Sequence, residues 1–142
     1  MLKFEIVARA VVVNDDKILL CYNPQTSNYF LPGGHVEFGE PAGETLKREL
    51  KEEFDLTARD PQFIGAVENM YEERDAKHHE LNLIFTVAFD DPTVRLQEDH
   101  ISFTWCELAE FPQKKILPPA LHNTMLKWLK DRKVFWASDI EV

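Results

Sequence analysis

Glu49, Glu52 and Glu53 stand at i, i+3 and i+4. At about 3.6 residues per turn, that spacing puts all three carboxylates on one side of an α-helix. Like charges this close repel, each contact destabilising an isolated helix by roughly a few tenths of a kcal/mol. A hard divalent cation, Mg2+ or Mn2+, removes the repulsion, because carboxylate oxygens are the donors such ions prefer. A solvated acidic helix face is the alternative, and spacing by itself leaves the two readings level. The flanking residues favour the metal. Gly33-Gly34 supplies backbone without side chains beside the acids, which permits close approach of a ligand and offers the Gly34 carbonyl as a further oxygen donor. Gly39-Glu40 turns into the helix, and Arg48 can pair with Glu40, Glu44 or Glu52 and so hold the carboxylates in position.

These groups need a scaffold. Residues 4–13 read as a strand, Asn14-Asp15-Asp16 as a polar turn and residues 17–22 as a second strand, together a hairpin. Residues 23–28 are a loop, Tyr29-Phe30-Leu31 a short apolar step, and residues 36–38 a brief extended piece. The spacing predicts a helix over residues 41–54, with Pro41 in its first turn and Ala42, Leu46, Leu50 and Phe54 as an apolar stripe. Glu44 and Arg48 form an i,i+4 pair on it. Residues 63–71 and 79–89 read as two strands around a charged loop, residues 72–77. The alternation of Leu81, Leu83 and Phe85 points them to the core, and Glu80 and Asn82 to the opposite side. Residues 101–106 form a last strand. Pro118-Pro119 opens a second helix whose buried face is Leu121, Met125, Trp128 and Leu129. Strands, helix, strands, helix is not regular βαβ alternation; it predicts an α/β (α+β) fold with a mixed sheet and a helix on each side. The tail, residues 134–142, carries Phe135 and Trp136 and either docks on the body or mediates association.

The chain has 142 residues, the size of one domain spanning 1–142. With 44% hydrophobic and 29% charged residues it has a globular balance, which excludes a disordered chain or a disulfide scaffold. Sixteen basic against 25 acidic residues give a net charge of −9, which argues against binding duplex nucleic acid or an anionic membrane. Seven acids and three bases fall between Gly34 and Leu56, so much of the acidity is local. A phosphate-handling protein of this charge must recruit cations. Cys21 and Cys106 form no CxxC pair and read as buried free thiols of a reducing cytosol. Glu5 and Arg9 interrupt any signal-peptide core, and no run approaches the roughly 18 apolar residues of a membrane span. The expectation is a cytoplasmic, soluble protein.

The segment from Gly34 to Leu56 resembles the Nudix box, G-x5-E-x7-R-E-U-x-E-E-x-G-U with U aliphatic. Gly34, Glu40, Arg48-Glu49-Leu50, Glu52-Glu53 and Leu56 match; Asp55 stands where the family has glycine, so eight of nine specified positions agree. That glycine ends the helix in a left-handed conformation, which Asp is among the few residues to tolerate. The similarity in element order runs over residues 4–130. It implies a Nudix-like α/β/α sandwich and a metal-dependent pyrophosphohydrolase that cleaves a nucleoside diphosphate linked to another moiety X by water attack on phosphorus. X leaves a nucleoside triphosphate, an ADP-ribose-like compound or a similar small molecule as substrate. The resemblance implies Glu52 and Glu53 as principal ligands of Mg2+ or Mn2+, Glu49 as a further ligand or base, the Gly34 carbonyl as another donor, Arg48 as the group orienting the acids and Glu40 as its support. A fourth acid outside the box is implied in the loop before the last strand, where Glu98 and Asp99 stand, with Glu80 as a rival. Arg9 interrupts an apolar strand and meets either a substrate phosphate or a carboxylate such as Glu5 or Glu68. Tyr22, Tyr29 and Phe30 can stack a base or pack in the core. His78 and His79 line a pocket or sit on the surface. Family members are often homodimers, and the tail around Phe135 and Trp136 is a candidate interface. The competing function is a non-catalytic Nudix-fold protein that binds a nucleotide to regulate.

Overall fold

In the computed structural model, which describes residues 1–142, the chain runs through strands β1 (Leu2–Val11), β2 (Val13–Asn14), β3 (Lys17–Asn23), β4 (Asn28–Phe30) and β5 (Gly33–His35). Helix α1 (Ala42–Phe54) follows, then β6 (Arg59–Glu73), β7 (Ala76–Ala88), β8 (Ser102–Glu107), helix α2 (Pro119–Asp131) and β9 (Phe135–Ser138). A five-stranded mixed sheet has the order β5-β1-β7-β6-β9, with β1 parallel to β7 and β9 parallel to β6. A smaller antiparallel sheet is built on β3, which pairs with β2, β4 and β8.

Side-chain alternation along β1 and β3 feeds two cores on opposite sides. Ala8, Ala10, Val12, Leu19 and Cys21 pack with Leu46, Leu50 and Phe54 of α1. Val11, Ile18, Leu20, Val67 and Ile84 pack with Leu121, Met125 and Trp128 of α2. Burying each such side chain stabilises the fold by about 1.5–3 kcal/mol, so both helices are held by the stripes their spacing predicts. Cys21 and Cys106 are free and buried. No helix is long and apolar enough to cross a membrane.

Several expectations are corrected. The hairpin of residues 4–13 with 17–22 does not form: β1 ends at Val11, and only Val13 and Asn14 pair with Ile18 and Lys17. β1 instead lies between β5 and β7 in the other sheet. Val12 is the pivot, fully buried, with Leu19 N–H donating to its carbonyl at 2.9 Å. Asp15 and Asp16 both take positive φ (49° and 62°), the turn geometry that fits the twist of adjacent strands. The extended piece lies at Gly33–His35 rather than at residues 36–38. Pro41 caps α1 from outside, in extended conformation, rather than opening its first turn. Glu44 pairs with Lys47 at 3.1 Å, not with Arg48. β6 and β7 are longer than the two predicted strands, and the charged loop between them shrinks to a turn around Arg74, whose φ is 56°. The faces of β7 are inverted: His78, Glu80, Asn82 and Ile84 are its buried set, while Leu81 and Leu83 are half-buried. The tail docks. β9 adds to the sheet edge, Phe135 packs into the α2-side core, and Trp136 stays 60% exposed.

Candidate active site

α1 presents its non-core face to β5 and to the loop that leads into β8. Thr45, Leu46, Leu50 and Phe54 are buried along one side. The helix geometry then places Arg48, Glu49, Glu52 and Glu53 around the other. Gly33 and Gly34 let β5 come close. A Cβ on Gly33 would lie 1.9 Å from the carbonyl oxygen of Ala8, and one on Gly34 2.4 Å from Cδ of Glu49. Neither position accommodates a side chain as the structure stands.

Arg48 organises the acids. Its Nε and Nη2 donate to the two oxygens of Glu40 at 2.9 and 3.0 Å, a bidentate fork. Its Nη1 donates to Glu49 at 2.9 Å and to Glu52 at 3.4 Å. Glu40 also accepts from the Thr45 hydroxyl at 2.7 Å. The Arg48 guanidinium and the Thr45 hydroxyl hold the Glu40 carboxyl down at about 2, and Glu40 in turn raises Arg48 further above its ordinary value. The arginine is therefore a permanent charge that fixes Glu40 and Glu49 together.

Glu53 is in the opposite position. It makes no ion pair, while burial first, and then the charges of Glu49 and Glu98, push its carboxyl up to about 8; Arg9 pulls the other way. Glu98 thus belongs to this cluster although it lies outside the box. The backbone of its loop docks on the C-terminal end of α1: Arg95 N–H donates to the carbonyl of Phe54 and Gln97 N–H to that of Glu53, both at 2.9 Å. These bonds satisfy carbonyls that a helix end leaves free. His100 faces Glu98 at 3.2 Å. Glu52 differs from Glu49 in exposure, 57% against 17% for the side chains, so it stands at the solvent rim. Half-buried Glu53, with Glu49 packed on the bare backbone of Gly34 and the charge of Glu98 acting on it, makes an oxygen-rich donor set that fits a hard divalent cation.

Asp55 caps α1 in the left-handed conformation, φ 53° and ψ 31°, with its N–H on the carbonyls of Leu50 and Lys51. Its carboxylate lies 2.7 Å from Lys51 and 3.6 Å from Arg95. The departure from glycine keeps the backbone shape and adds two ion pairs.

Arg9 meets neither Glu5 nor Glu68. Nε donates to Oδ1 of Asn82 at 3.3 Å, Nη1 to the carbonyl of Leu31 at 3.2 Å, and the guanidinium lies 6.0 Å from the centre of the Phe30 ring. Its charge is unpaired by any carboxylate and acts on Glu53. A depression lined by Tyr22, Gln25, Phe30 and His100 opens next to the Glu98 loop. Tyr29 is placed elsewhere: it packs against the α2-side core, with Lys114 over its ring at 5.4 Å.

Glu80 is not brought to Glu53. It lies on the mixed sheet with Glu5 and His35, which with it form a group whose ligating atoms are all within 4.8 Å of one another. His78 is buried and its Nδ1 is 2.5 Å from Glu5; its ring stacks on Tyr71 with centroids 4.5 Å apart. His79 is half-buried against Phe4 and Glu68. Sequence reading missed Glu5, His35 and Tyr71 as members of a cluster; the signal available was the polar alternation of His78, Glu80 and Asn82 on one strand.

The chain matches the profile of the NUDIX domain over residues 3–130. It is 26% identical over 121 residues to the ADP-ribose pyrophosphatase of Methanocaldococcus jannaschii, which covers 83% of this chain and 70% of that protein. Among solved structures, a MutT protein from Bacillus halodurans superposes with a TM-score of 0.80 at 21% identity, covering 94% of this chain and 88% of the other. A MutT protein from Methanosarcina mazei gives 0.74 at 23% identity, covering 92% and 96%. At these identities the superpositions establish the fold.

Proposed function

This chain belongs to the NUDIX family, hydrolases of phosphorus-containing acid anhydrides, and on that premise we propose that it is a Mg2+- or Mn2+-dependent pyrophosphohydrolase of a nucleoside diphosphate linked to another moiety. The observation that carries this reading is the packing of Glu49 against the bare backbone of Gly34, beside a Glu53 on which the charges of Glu49 and Glu98 both act, with Arg48 gripping Glu49 and Glu40 from the side. Glu53, Glu52 and Glu49 would hold the ion with the Gly34 carbonyl, and Glu98 would complete the set. The chemistry such an ion supplies is offset of the phosphate charge and acidification of the attacking water. The protein's own part is positioning, which is most of what phosphoryl transfer asks of it. Arg48 fixes the direction of Glu49 through a charge that does not titrate near neutrality. Glu40 and Thr45 keep Arg48 from rotating away.

Arg9 is the substrate-facing cation in this reading. Its guanidinium has no carboxylate partner and stands over Phe30, so a diphosphate can take the free charge without breaking an ion pair. Tyr22, Phe30 and His100 flank the same site and offer flat surfaces to a base. Tyr29 supports them from behind, its ring centre 4.9 Å from that of Tyr22. The Methanocaldococcus relative makes ADP-ribose one substrate to test first, beside nucleoside triphosphates. The cytoplasm is the compartment that fits two buried free thiols.

The test is a panel of nucleoside triphosphates, ADP-ribose, dinucleotide polyphosphates and nucleotide sugars with Mg2+ or Mn2+, scored for nucleotide and phosphate products. Metal-dependent turnover that disappears in Glu53→Gln supports the reading. Binding of nucleotide with no turnover of any compound replaces it with the regulatory one.

A further inference from the structure

We propose that Glu5, His35 and Glu80, with His78 behind Glu5, form a second metal site, suited to a divalent transition ion of the Zn2+ class and separate from the carboxylates of α1.

The placement follows from strand register. β1 and β7 run parallel with Glu5 beside Glu80 and Lys3 beside His78; β1 and β5 run antiparallel with Val7 beside His35. Residues two apart on a strand share a face, so Glu5, His35, His78 and Glu80 all project from the same side of the mixed sheet. Their ligating atoms meet: those of Glu5, His35 and Glu80 lie within 4.8 Å of one another. A point central to three such atoms is at most about 2.8 Å from each. At most about 0.7 Å of side-chain adjustment then gives the ~2.1 Å bonds of zinc to nitrogen and oxygen.

A second observation points to a missing cation. Glu80 is only 7% exposed and forms no ion pair, and its single hydrogen bond comes from the Tyr71 hydroxyl at 3.4 Å. Glu5 beside it is half-buried and is contacted by both imidazoles, that of His35 and that of His78, the latter at 2.5 Å. A buried carboxylate beside a half-buried one is costly unless a positive charge joins them. The one arginine of β1, Arg9, is committed to Asn82 and Leu31. His35, with a 64% exposed side chain, leaves the cluster open to solvent on one side, so an ion can reach it.

Imidazole nitrogen separates this cluster from the box. Mixed nitrogen and carboxylate donors suit Zn2+, Co2+ or Ni2+, while Mg2+ keeps to oxygen donors and much of its water. An ion here ties edge strand β5 to β1 and β7, and β5 carries the glycine that abuts Glu49. The inference does not depend on the reaction assigned to α1.

The experiment is titration of the chelator-treated full chain with Zn2+, and with Co2+ for its visible spectrum, under a large excess of Mg2+. The expected result is one equivalent of Zn2+ or Co2+ per chain, with shifts of the His35 and His78 ring resonances. Affinity should fall tenfold or more in both Glu80→Gln and His35→Asn and stay unchanged in Glu53→Gln. His35 has a 64% exposed side chain, so its replacement leaves folding intact and decides the matter if Glu80→Gln does not fold. Absence of a stoichiometric equivalent in the unaltered chain overturns the proposal. So does wild-type affinity in His35→Asn, or equal loss in Glu53→Gln, which would place the ion at α1.

Discussion

At α1, Glu49 and Glu52 of the helix and Glu40 of the turn before it share one guanidinium that stays charged at every accessible pH. Across β1, β5 and β7, Glu5 and Glu80 face two imidazoles and a phenol. Both clusters gather carboxylates close together, but with different counter-groups. The arginine holds its acids in a fixed direction and adds no ligand. Imidazoles can themselves serve as ligands and are not permanent charges. The difference teaches that burial of a carboxylate does not define a site; the group opposite it does. Glu53 makes the same point within α1, since it is the one box acid of the donor set that Arg48 does not reach.

The comparison can be broken at several points. The largest effect is expected from Glu53→Gln, which removes the central acid and should lower kcat by about 10²- to 10³-fold at saturating Mg2+, measured by steady-state product release. The same variant should leave Zn2+ binding at the sheet untouched. Gly34→Ala comes next. Its methyl group would overlap Glu49, and the overpacking should cost about 1–3 kcal/mol by denaturant unfolding together with reduced turnover. Glu40→Gln leaves every proposed ligand in place but loosens Arg48, and should raise the Mg2+ concentration at half-maximal rate by about 10- to 100-fold.

Glu40 also carries a pH signature. Its carboxyl is held at about 2 in the fold against 4.5 for a free glutamate. A lowered value contributes stability that is fully present above the unfolded pKa and is lost as pH falls through the folded one. Unfolding curves of the parent chain should therefore weaken between pH 4.5 and about 2, and Glu40→Gln should flatten that part of the acid limb. The smallest effect is expected for Asp55→Gly: the left-handed backbone favours glycine while two exposed ion pairs are lost, so the two changes offset and the denaturant midpoint should stay close to that of the parent chain.

The α1 cluster was legible because its information is local. Helical spacing alone puts Arg48, Glu49, Glu52 and Glu53 on one side, and the stripe of Leu46, Leu50 and Phe54 fixes which side faces out. Glu98 needed the resemblance, since nothing in its neighbours announces a contact with a helix that ends 44 residues earlier. The false hairpin has a similar cause. Val11, Val12 and Val13 are all strand formers with no glycine or proline among them, so the change of sheet at Val12 leaves no mark in composition. On β7 the apolar residues sit on both faces, and the less buried set, Leu81 and Leu83, looked like the core. The cluster around Glu5 draws on three strands far apart in sequence, and only register brings them together.

The loop that delivers Glu98 is fastened to α1 chiefly by main-chain atoms, the amides of residues 95 and 97 on the carbonyls of residues 54 and 53. Such a joint is indifferent to side-chain identity. Substitutions can accumulate along residues 90–101 without displacing the acid, provided that no proline arrives at 95 or 97 to remove an amide hydrogen. The segment is thus a replaceable cartridge: its residues on the neighbouring depression, His100 among them, can be exchanged while the helix beneath it is left alone.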